Sequence, residues 1–414
     1  MTVSGAPGGL GDAPGGSTGN APGGSTGDAS GGARPTYRIV AIPGDGVGPD
    51  VLAAGRRVVD AAGEQAGFGL DWREVVVGGA AIDAYGASIR PEDLEACAAA
   101  DAVFLGAVGG PRWDDPSATV RPEQALFALR GGLGLFANLR PVTVHPALAE
   151  SSPLKTALLA DVDMLIVREL TGGLYFAART EATGAPGSRR AEDTLPYADE
   201  EIARIVRLAF DLARGRRRKV TSVDKANVLA TSRLWRTVAG EVAADYPDVA
   251  LEHRLVDATA MQIVRWPAGF DVIVTENLFG DILSDEASVL AGSLGMLPSA
   301  SVGARRTAHG LLGLYEPIHG SAPDIAGKDI ANPIGTILSG AMMLRWSFGR
   351  DDAATAIEDA VSRALFDGVR TPDIMPTDPA RAAEVEPVGT VGMTEAIIAR
   401  LDVRSRSAAT GSIA

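Results

Sequence analysis

Cysteine is all but missing from this chain of 414 residues, which carries one, Cys97. No intramolecular disulfide can form, which points to a reducing, cytoplasmic setting. Cys97 lies in the alanine-rich stretch 94–100 and reads as a packed small hydrophobe rather than a nucleophile. Long apolar runs are missing too. None approaches the ~20 residues that a bilayer span needs, so no transmembrane helix and no membrane partner is expected. The N-terminal segment lacks the basic cluster and apolar core of a signal peptide. Positive charge is in deficit: 38 Lys and Arg stand against 52 Asp and Glu, a formal net charge of −14. That balance argues against a nucleic-acid backbone as partner. It is compatible with a small anionic substrate only where local arginines override the global field. The G-x-G-x-x-G nucleotide fingerprint is also absent. The one candidate, Pro43-Gly44-Asp45-Gly46-Val47-Gly48-Pro49, has Pro49 out of place, and a tight strand-to-helix connection explains its glycines.

What is present fits a globular protein, with hydrophobic residues at 46% and charged residues at 22%. The length suggests two lobes. Residues 1–35 stand apart: the octapeptide Ala13–Asn20 recurs in near-identical form as Ala21–Asp28. Such Gly/Pro/Ser sequence buries too little apolar surface to offset its ordering entropy, so a disordered tail is expected. The segment 403–414 is expected to fray. Between them, strand-like runs at 37–42, 102–105, 164–167, 219–223 and 270–274 alternate with helical patterns such as 51–59 and 200–214. The alternation predicts an α/β protein with substantial parallel sheet.

Four groups of residues could carry chemistry. Asp281 and Asp285, in Phe279-Gly280-Asp281-Ile282-Leu283-Ser284-Asp285, share one face of a predicted helix. Like charges there repel by a few tenths of a kcal/mol, a penalty that a bound divalent cation would reverse. Oxygen-only ligands suit Mg²⁺ or Mn²⁺. Alone, the pair reads first as a solvated acidic face. Arg130, Arg140 and Arg168 could grip carboxylates bidentately, and Arg168 closes a strand-like run, where α/β proteins build sites. Taken singly, each is an ordinary surface ion pair. Lys225, in Ser222-Val223-Asp224-Lys225-Ala226-Asn227, and Tyr175, in Thr171-Gly172-Gly173-Leu174-Tyr175, could be base and acid. Last, His319-Gly320-Ser321-Ala322-Pro323-Asp324-Ile325, continuing to Asn332, is a loop with open backbone donors that suits a nucleotide. Asp324 there could bind both ribose hydroxyls and repel a 2′-phosphate, favouring NAD over NADP. An ordinary structured loop explains it as well.

In this order along the chain, the glycine turn, Phe136-Ala137-Asn138-Leu139-Arg140-Pro141, Val167-Arg168-Glu169-Leu170-Thr171-Gly172-Gly173 and the motifs around Lys225, Asp281 and His319 resemble the isocitrate and isopropylmalate dehydrogenase family over about residues 37–402. The resemblance implies a non-Rossmann, two-domain α/β fold and a homodimer. One domain would be discontinuous and hold NAD (36–135 and 292–402). The other (136–291) would hold the metal and form the dimer contact. It implies that Asp257, in Leu255-Val256-Asp257-Ala258-Thr259, contacts substrate and joins Asp281 and Asp285 as a metal ligand, with Lys225 and Asp257 reaching across from the partner. Arg130, Arg140 and Arg168 would hold a dicarboxylate. Lys225 would take the hydroxyl proton and Tyr175 would protonate C3 after CO₂ leaves. His319, Gly320, Ser321, Ala322, Pro323, Asp324, Ile325 and Asn332 would bind NAD.

The substituent of the substrate would be read by Glu123, Leu126 and Phe127, with Val228 of the partner. Where isocitrate-specific relatives carry a Ser-x-Asn pattern for a third carboxylate, this chain has Gln124 and Leu126, so an apolar group is expected, as in 3-isopropylmalate. Phe127 stands where leucine is usual, and Gly131-Gly132 follows Arg130 where a basic residue is common. Other 3-alkyl- or 3-arylmalates, D-malate or tartrate therefore remain alternatives. A non-catalytic regulatory subunit is a further reading, which loss of a catalytic residue would have marked.

Overall fold

The computed structural model describes residues 34–115 and 118–403. The tandem repeats, and the fraying expected at 404–414, lie outside the described residues. At both ends the fold reaches further than expected. The Arg34 guanidinium donates to the Gly63 carbonyl and Gly69 N–H to the Pro35 carbonyl. Val403 is buried, with its N–H on Gln65 Oε1 at 3.1 Å.

In chain order the elements are β1 (Thr36–Gly44), α1 (Gly48–Ala66), β2 (Gly69–Glu74), α2 (Gly79–Tyr85), α3 (Pro91–Ala99), β3 (Ala102–Ala107) and α4 (Gln124–Leu133). Then come β4 (Ala137–Thr143), β5 (Asp163–Glu169), β6 (Arg179–Thr183), β7 (Arg190–Asp193), α5 (Asp199–Arg214), β8 (Lys219–Asp224), α6 (Ala230–Ala243), β9 (Ala250–Leu255), α7 (Val256–Arg265), β10 (Val272–Thr275) and α8 (Asn277–Ser288). The chain returns through β11 (Pro298–Arg306), β12 (Leu311–Pro317), α9 (Ile334–Phe348), α10 (Asp351–Phe366), α11 (Pro379–Ala382) and α12 (Thr390–Ile398).

Ten strands form one sheet, in the order β2-β1-β3-β12-β11-β4-β5-β10-β8-β9. Its two ends are parallel, as the β-α alternation predicts: β2, β1, β3 and β12 on one side, β5, β10, β8 and β9 on the other. The middle is antiparallel, β12 to β11 to β4 to β5. The fold is thus the two-domain α/β arrangement with a mixed sheet. The early and late segments of the chain share one half of it, and the middle segment forms the other.

Periodicity explains the elements. In α1 the buried positions Val51, Leu52, Val58, Val59 and Ala62 recur at helical spacing, and Gly67 ends the helix in the left-handed region at φ 75°. Each buried Val or Leu among them contributes roughly 1.5–3 kcal/mol. The strand expected at 270–274 spans 272–275; just before it the buried Asp271 carboxylate accepts from Lys219 N–H and Arg216 Nε. The hairpin β6/β7 is exposed along its whole length and has no apolar alternation to announce it.

Candidate active site

The three arginines converge, and the reason is local. Arg140 is on β4 and Arg168 at the end of β5, its neighbour in the sheet, with register Arg140↔Ile166 and Asn138↔Arg168. Arg130 enters from the last turn of α4. All three are buried, at 9%, 8% and 3% exposure. Each charged head has a fixed partner, as burial demands. Arg140 Nε donates to Asn138 Oδ1 at 2.7 Å and Arg168 Nε to Asn277 Oδ1 at 2.9 Å, leaving the outer edges of both forks for carboxylates. Arg130 meets Glu316 Oε1 of β12 at 3.4 Å, and its Nε has no partner among the described residues. Burial pushes the Arg168 guanidinium down to about 10, with Arg140 adding to the effect and Asp281 opposing it. Arg140 moves the same way for the same first reason.

Helix α8 points into this cationic floor. Glu276 caps it, accepting from Leu278 and Phe279 N–H at 3.0 and 2.7 Å. One turn on, Asp281 is bound by Arg168 Nη1, and Tyr175 O–H donates to Asp281 Oδ2 at 3.0 Å. Burial, then the Asp281 charge, pushes the Tyr175 hydroxyl up to about 12. Asp285 Oδ1 lies 3.2 Å from Arg140 Nη1. Burial raises its carboxyl, Asp281 adds to the rise and Arg140 opposes it.

The three arginines, Glu316, Tyr175 and Asp281 line a cleft of about 280 Å³; Asp285 is not among its walls. Its walls include Glu123, Leu126, Phe127, Arg130, Arg140, Arg168, Tyr175, Asp281, His319 and Gly320, which sequence reasoning placed there. Phe127 packs edge-to-face on Phe176, ring centroids 5.2 Å apart, so one wall beside the arginines is aromatic. Gly131, where the charge expected next to Arg130 is missing, faces open space.

Three expected site residues lie elsewhere on the chain. Lys225 Nζ pairs with Asp257 Oδ1 at 2.6 Å, and Val228 is 63% exposed; none of the three lines the cleft of its own chain. The hydrogen bond from Lys225 holds the Asp257 carboxyl below its usual range. Nearby, α7 and α8 pack together and leave Met261, Val264 and Ile282 exposed, with Val289 exposed just past the end of α8.

The loop 319–333 closes the other side. Its placement depends on the glycine turn: Val47 N–H donates to the Ser321 carbonyl at 2.7 Å, and a Cβ on Gly46 would stand 1.9 Å from that oxygen. Asp45 is buried and accepts from Gly79, Ala80 and Gly109 N–H, tying the start of α2 and the loop after β3 to the turn. Ala322 takes a left-handed φ of 34°. Asp324, Pro323 and Gly320 are exposed, whereas Asn332 is buried, bonded to Ile334 N–H and Asp373. Sequence reasoning missed Asn138, Asn277, Glu276 and Glu316. Asn138 lies inside the motif 136–141, and Asn277 and Glu276 stand two and three residues before Phe279; nearness to a motif was the one signal, and it does not say what a side chain holds. Glu316 reaches Arg130 across 186 residues, and no local pattern marks it.

Residues 38–397 match the family model described as isocitrate/isopropylmalate dehydrogenase. The chain is 58% identical over 337 residues to a 3-isopropylmalate dehydrogenase of Anaeromyxobacter dehalogenans, covering 81% of this chain and 94% of the relative. It is 54% identical over 365 residues to one of Pseudomonas fluorescens (strain Pf0-1), 88% and 98% of the two chains. The chain belongs to the isocitrate/isopropylmalate dehydrogenase family. Solved structures agree. An isocitrate dehydrogenase from Methylococcus capsulatus superposes with a TM-score of 0.76 at 38% identity, over 89% of this chain and 99% of that one. A beta-decarboxylating dehydrogenase from Thermococcus kodakarensis gives 0.68 at 35%, over 91% and 99%. As a member of this family the chain is an oxidoreductase, and the reading as a non-catalytic subunit falls.

Family membership implies NAD and a divalent metal, and the residues fit both. Asp281 and Asp285 offer hard oxygen donors one helical turn apart. Among the described residues no cluster of three carboxylate, thiolate or imidazole groups forms within one chain. On the cofactor side, His319 Nε2 is buried without a partner among the described residues, and the space beside Gly320 is open.

Proposed function

We propose that this enzyme carries out the NAD-dependent oxidative decarboxylation of (2R,3S)-3-isopropylmalate to 4-methyl-2-oxopentanoate and CO₂, a step of leucine synthesis. The observation that carries this reading is the composition of one cleft: three buried guanidinium groups beside a wall of Leu126 and Phe127. That pairing fits a malate with an apolar group at C3. An isocitrate side chain would leave its third carboxylate against hydrocarbon, at a cost that rejects it. The relatives named 3-isopropylmalate dehydrogenase support the same substrate.

In this mechanism Arg130, Arg140 and Arg168 hold the two carboxylates and fix C2 and C3 in the cleft. Asn138 and Asn277 keep two of the forks from turning. Lys225 of a second copy takes the proton from the 2-hydroxyl as C2 is oxidised. When bound, NAD supplies the hydride acceptor, and a divalent cation held by Asp281, Asp285 and a second copy's Asp257 supplies Lewis acidity at the substrate's 2-oxygen. After CO₂ departs, Tyr175 gives its proton to C3. Ser321 to Ile325, with Asp324 on the ribose hydroxyls, would hold the adenosine end of NAD. We assign 36–135 with 292–402 to the cofactor domain and 136–291 to the dimer-forming domain. The exposed apolar residues on α7 and α8 fit that dimer contact.

The test is a panel of kcat/KM values with NAD and Mg²⁺ or Mn²⁺, for 3-isopropylmalate, isocitrate, D-malate and 3-benzylmalate. 3-Isopropylmalate should lead, and EDTA should abolish NADH formation. A preference for isocitrate would overturn the apolar-wall argument, and one for 3-benzylmalate would move the substrate to an arylmalate.

A further inference from the structure

Behind the active cleft, on the other face of the sheet, lies a second cavity of about 110 Å³. Side chains alternate across a strand, so neighbours in sequence serve the two spaces. On β4, Arg140 faces the cleft and Pro141 and Thr143 face the cavity; on β11, Ser299 faces the cleft and Pro298 the cavity. Leu338 and Met342 of α9 and Val361 and Leu365 of α10 form part of the remaining apolar wall. At one edge are three polar side chains. His145 Nδ1 accepts from Ala147 N–H at 3.2 Å, so its Nε2 carries the hydrogen and donates to Ser362 Oγ at 3.0 Å. That leaves the serine hydroxyl hydrogen for an incoming oxygen. Glu358 is already held by Arg345, at 2.6 Å and 3.0 Å, and would repel a carboxylate.

We propose that this cavity is a binding site for a small uncharged molecule with a branched or cyclic aliphatic body of about five carbons and one hydroxyl or carbonyl oxygen, and that its occupancy alters the carboxylate grip of the active site. The volume sets an upper limit: an apolar cavity of about 150 Å³ holds benzene, and at about 110 Å³ this one admits a ligand of no more than about six heavy atoms. The single oxygen is set by Ser362, and the lack of charge by Glu358.

Coupling follows from a hydrogen-bond chain. Ser339, next to cavity-lining Leu338, accepts from Ser299 N–H at 3.3 Å, and its one hydroxyl hydrogen is shared between the Glu316 carbonyl at 2.9 Å and the Gly335 carbonyl of its own helix at 2.8 Å. Ser299 Oγ donates to the Glu316 carbonyl at 3.0 Å, and the Glu316 side chain holds Arg130. A ligand that presses α9 away from β11 therefore shifts the residue that positions Arg130. This second half rests on the proposed function of the cleft; the binding site itself does not.

The probe is 3-methylbutan-1-ol, with 3-methylbutanoate as its charged counterpart. With the full-length protein, the alcohol should raise Tm saturably and broaden its own NMR lines at about millimolar concentration, the affinity expected for six heavy atoms. The acid should do neither at this site. Val361→Phe, which fills the cavity, should weaken alcohol binding at least tenfold. Leu338→Ala, which enlarges it, should bind 2-phenylethanol at least tenfold more tightly than the parent does, a readout that survives if Val361→Phe fails to fold. In turnover assays the alcohol should change KM or kcat for the malate substrate at least twofold, in a pattern that is not competitive. Absence of saturable binding, or binding indifferent to both substitutions, overturns the site. Purely competitive inhibition places the alcohol in the active cleft and also overturns it. If turnover itself is missing, the Tm and NMR readouts still decide the cavity, so failure of the proposed reaction is separately visible.

Discussion

At the scale of single residues, the cleft works because its charges are oriented before any substrate arrives. Arg168 shows this best: Nε is held by Asn277, an outer nitrogen meets Asp281, and the side chain is 3% exposed. Lysine keeps the charge but loses the planar fork. Arg168→Lys should stay folded and lower kcat/KM by on the order of 100-fold, whereas Asn277→Ala, which only frees the fork, should raise KM more than it lowers kcat. Steady-state kinetics with melting curves would check both; equal activity of Arg168→Lys and parent would refute the bidentate role. A second residue bears on pH. Burial, helped by Arg370, pushes His145 from 6.5 down to about 4. Between those values the unfolded chain takes up a proton that the folded one refuses, so stability is full above pH 6.5 and falls as pH drops toward 4. With partial exposure discounted, the loss is on the order of 1–2 kcal/mol. In melts from pH 7.5 to 4.5, His145→Gln should flatten that part of the acid limb. The arginines, Tyr175 and Asp281 were readable as residues because their types and motifs are distinctive. Asn138 and Asn277 were not, since a buried amide is recognised by what it holds.

Elements carry the next level, and there the sequence was readable wherever one face is buried. Strands β3 and β5 and helix α5 announce themselves through apolar runs and helical spacing. The antiparallel middle of the sheet does not, because β4 and β11 pair across more than 150 residues, as Leu139 with Ala300, and no local pattern records a partner so distant. The turn between β1 and α1 shows how an element reaches the site without lining it. Gly46 has φ 59° and its backbone lies against Ser321, so any side chain must push the loop 319–333 outward. Gly46→Ala should cost about 1–3 kcal/mol. It should also raise KM for NAD severalfold while KM for the malate substrate stays within about twofold, since Arg140 and Arg168 sit on the far half of the sheet. A Gly46→Ala enzyme with unchanged KM for NAD would remove the loop from the cofactor site.

For the whole molecule, the placement of Lys225 and Asp257 decides what the functional unit is. Both belong to motifs that the sequence made legible, yet they pair with each other on the surface, away from the cleft their own chain forms. One chain therefore assembles the arginines, Tyr175, Asp281 and Asp285, but not Lys225, the base we propose. A two-fold dimer repairs this symmetrically, each subunit lending Lys225 to its partner. The arrangement makes a prediction that a self-sufficient monomer cannot imitate. Lys225→Met and Tyr175→Phe should each be nearly inactive as pure proteins. When the two are dissociated, mixed in equal amounts and reassociated, half the dimers pair one variant with the other. In each mixed dimer one site is wild type, combining Tyr175 from the Lys225→Met chain with Lys225 from the Tyr175→Phe chain, while the other site has lost both. Activity should therefore return to about a quarter of the parental value. Recovery at that level, with no recovery on mixing either variant with itself, fixes the base on the opposite subunit. If the mixture stays as inactive as its components, Lys225 serves its own chain, and the residue must swing across to a cleft it does not line here.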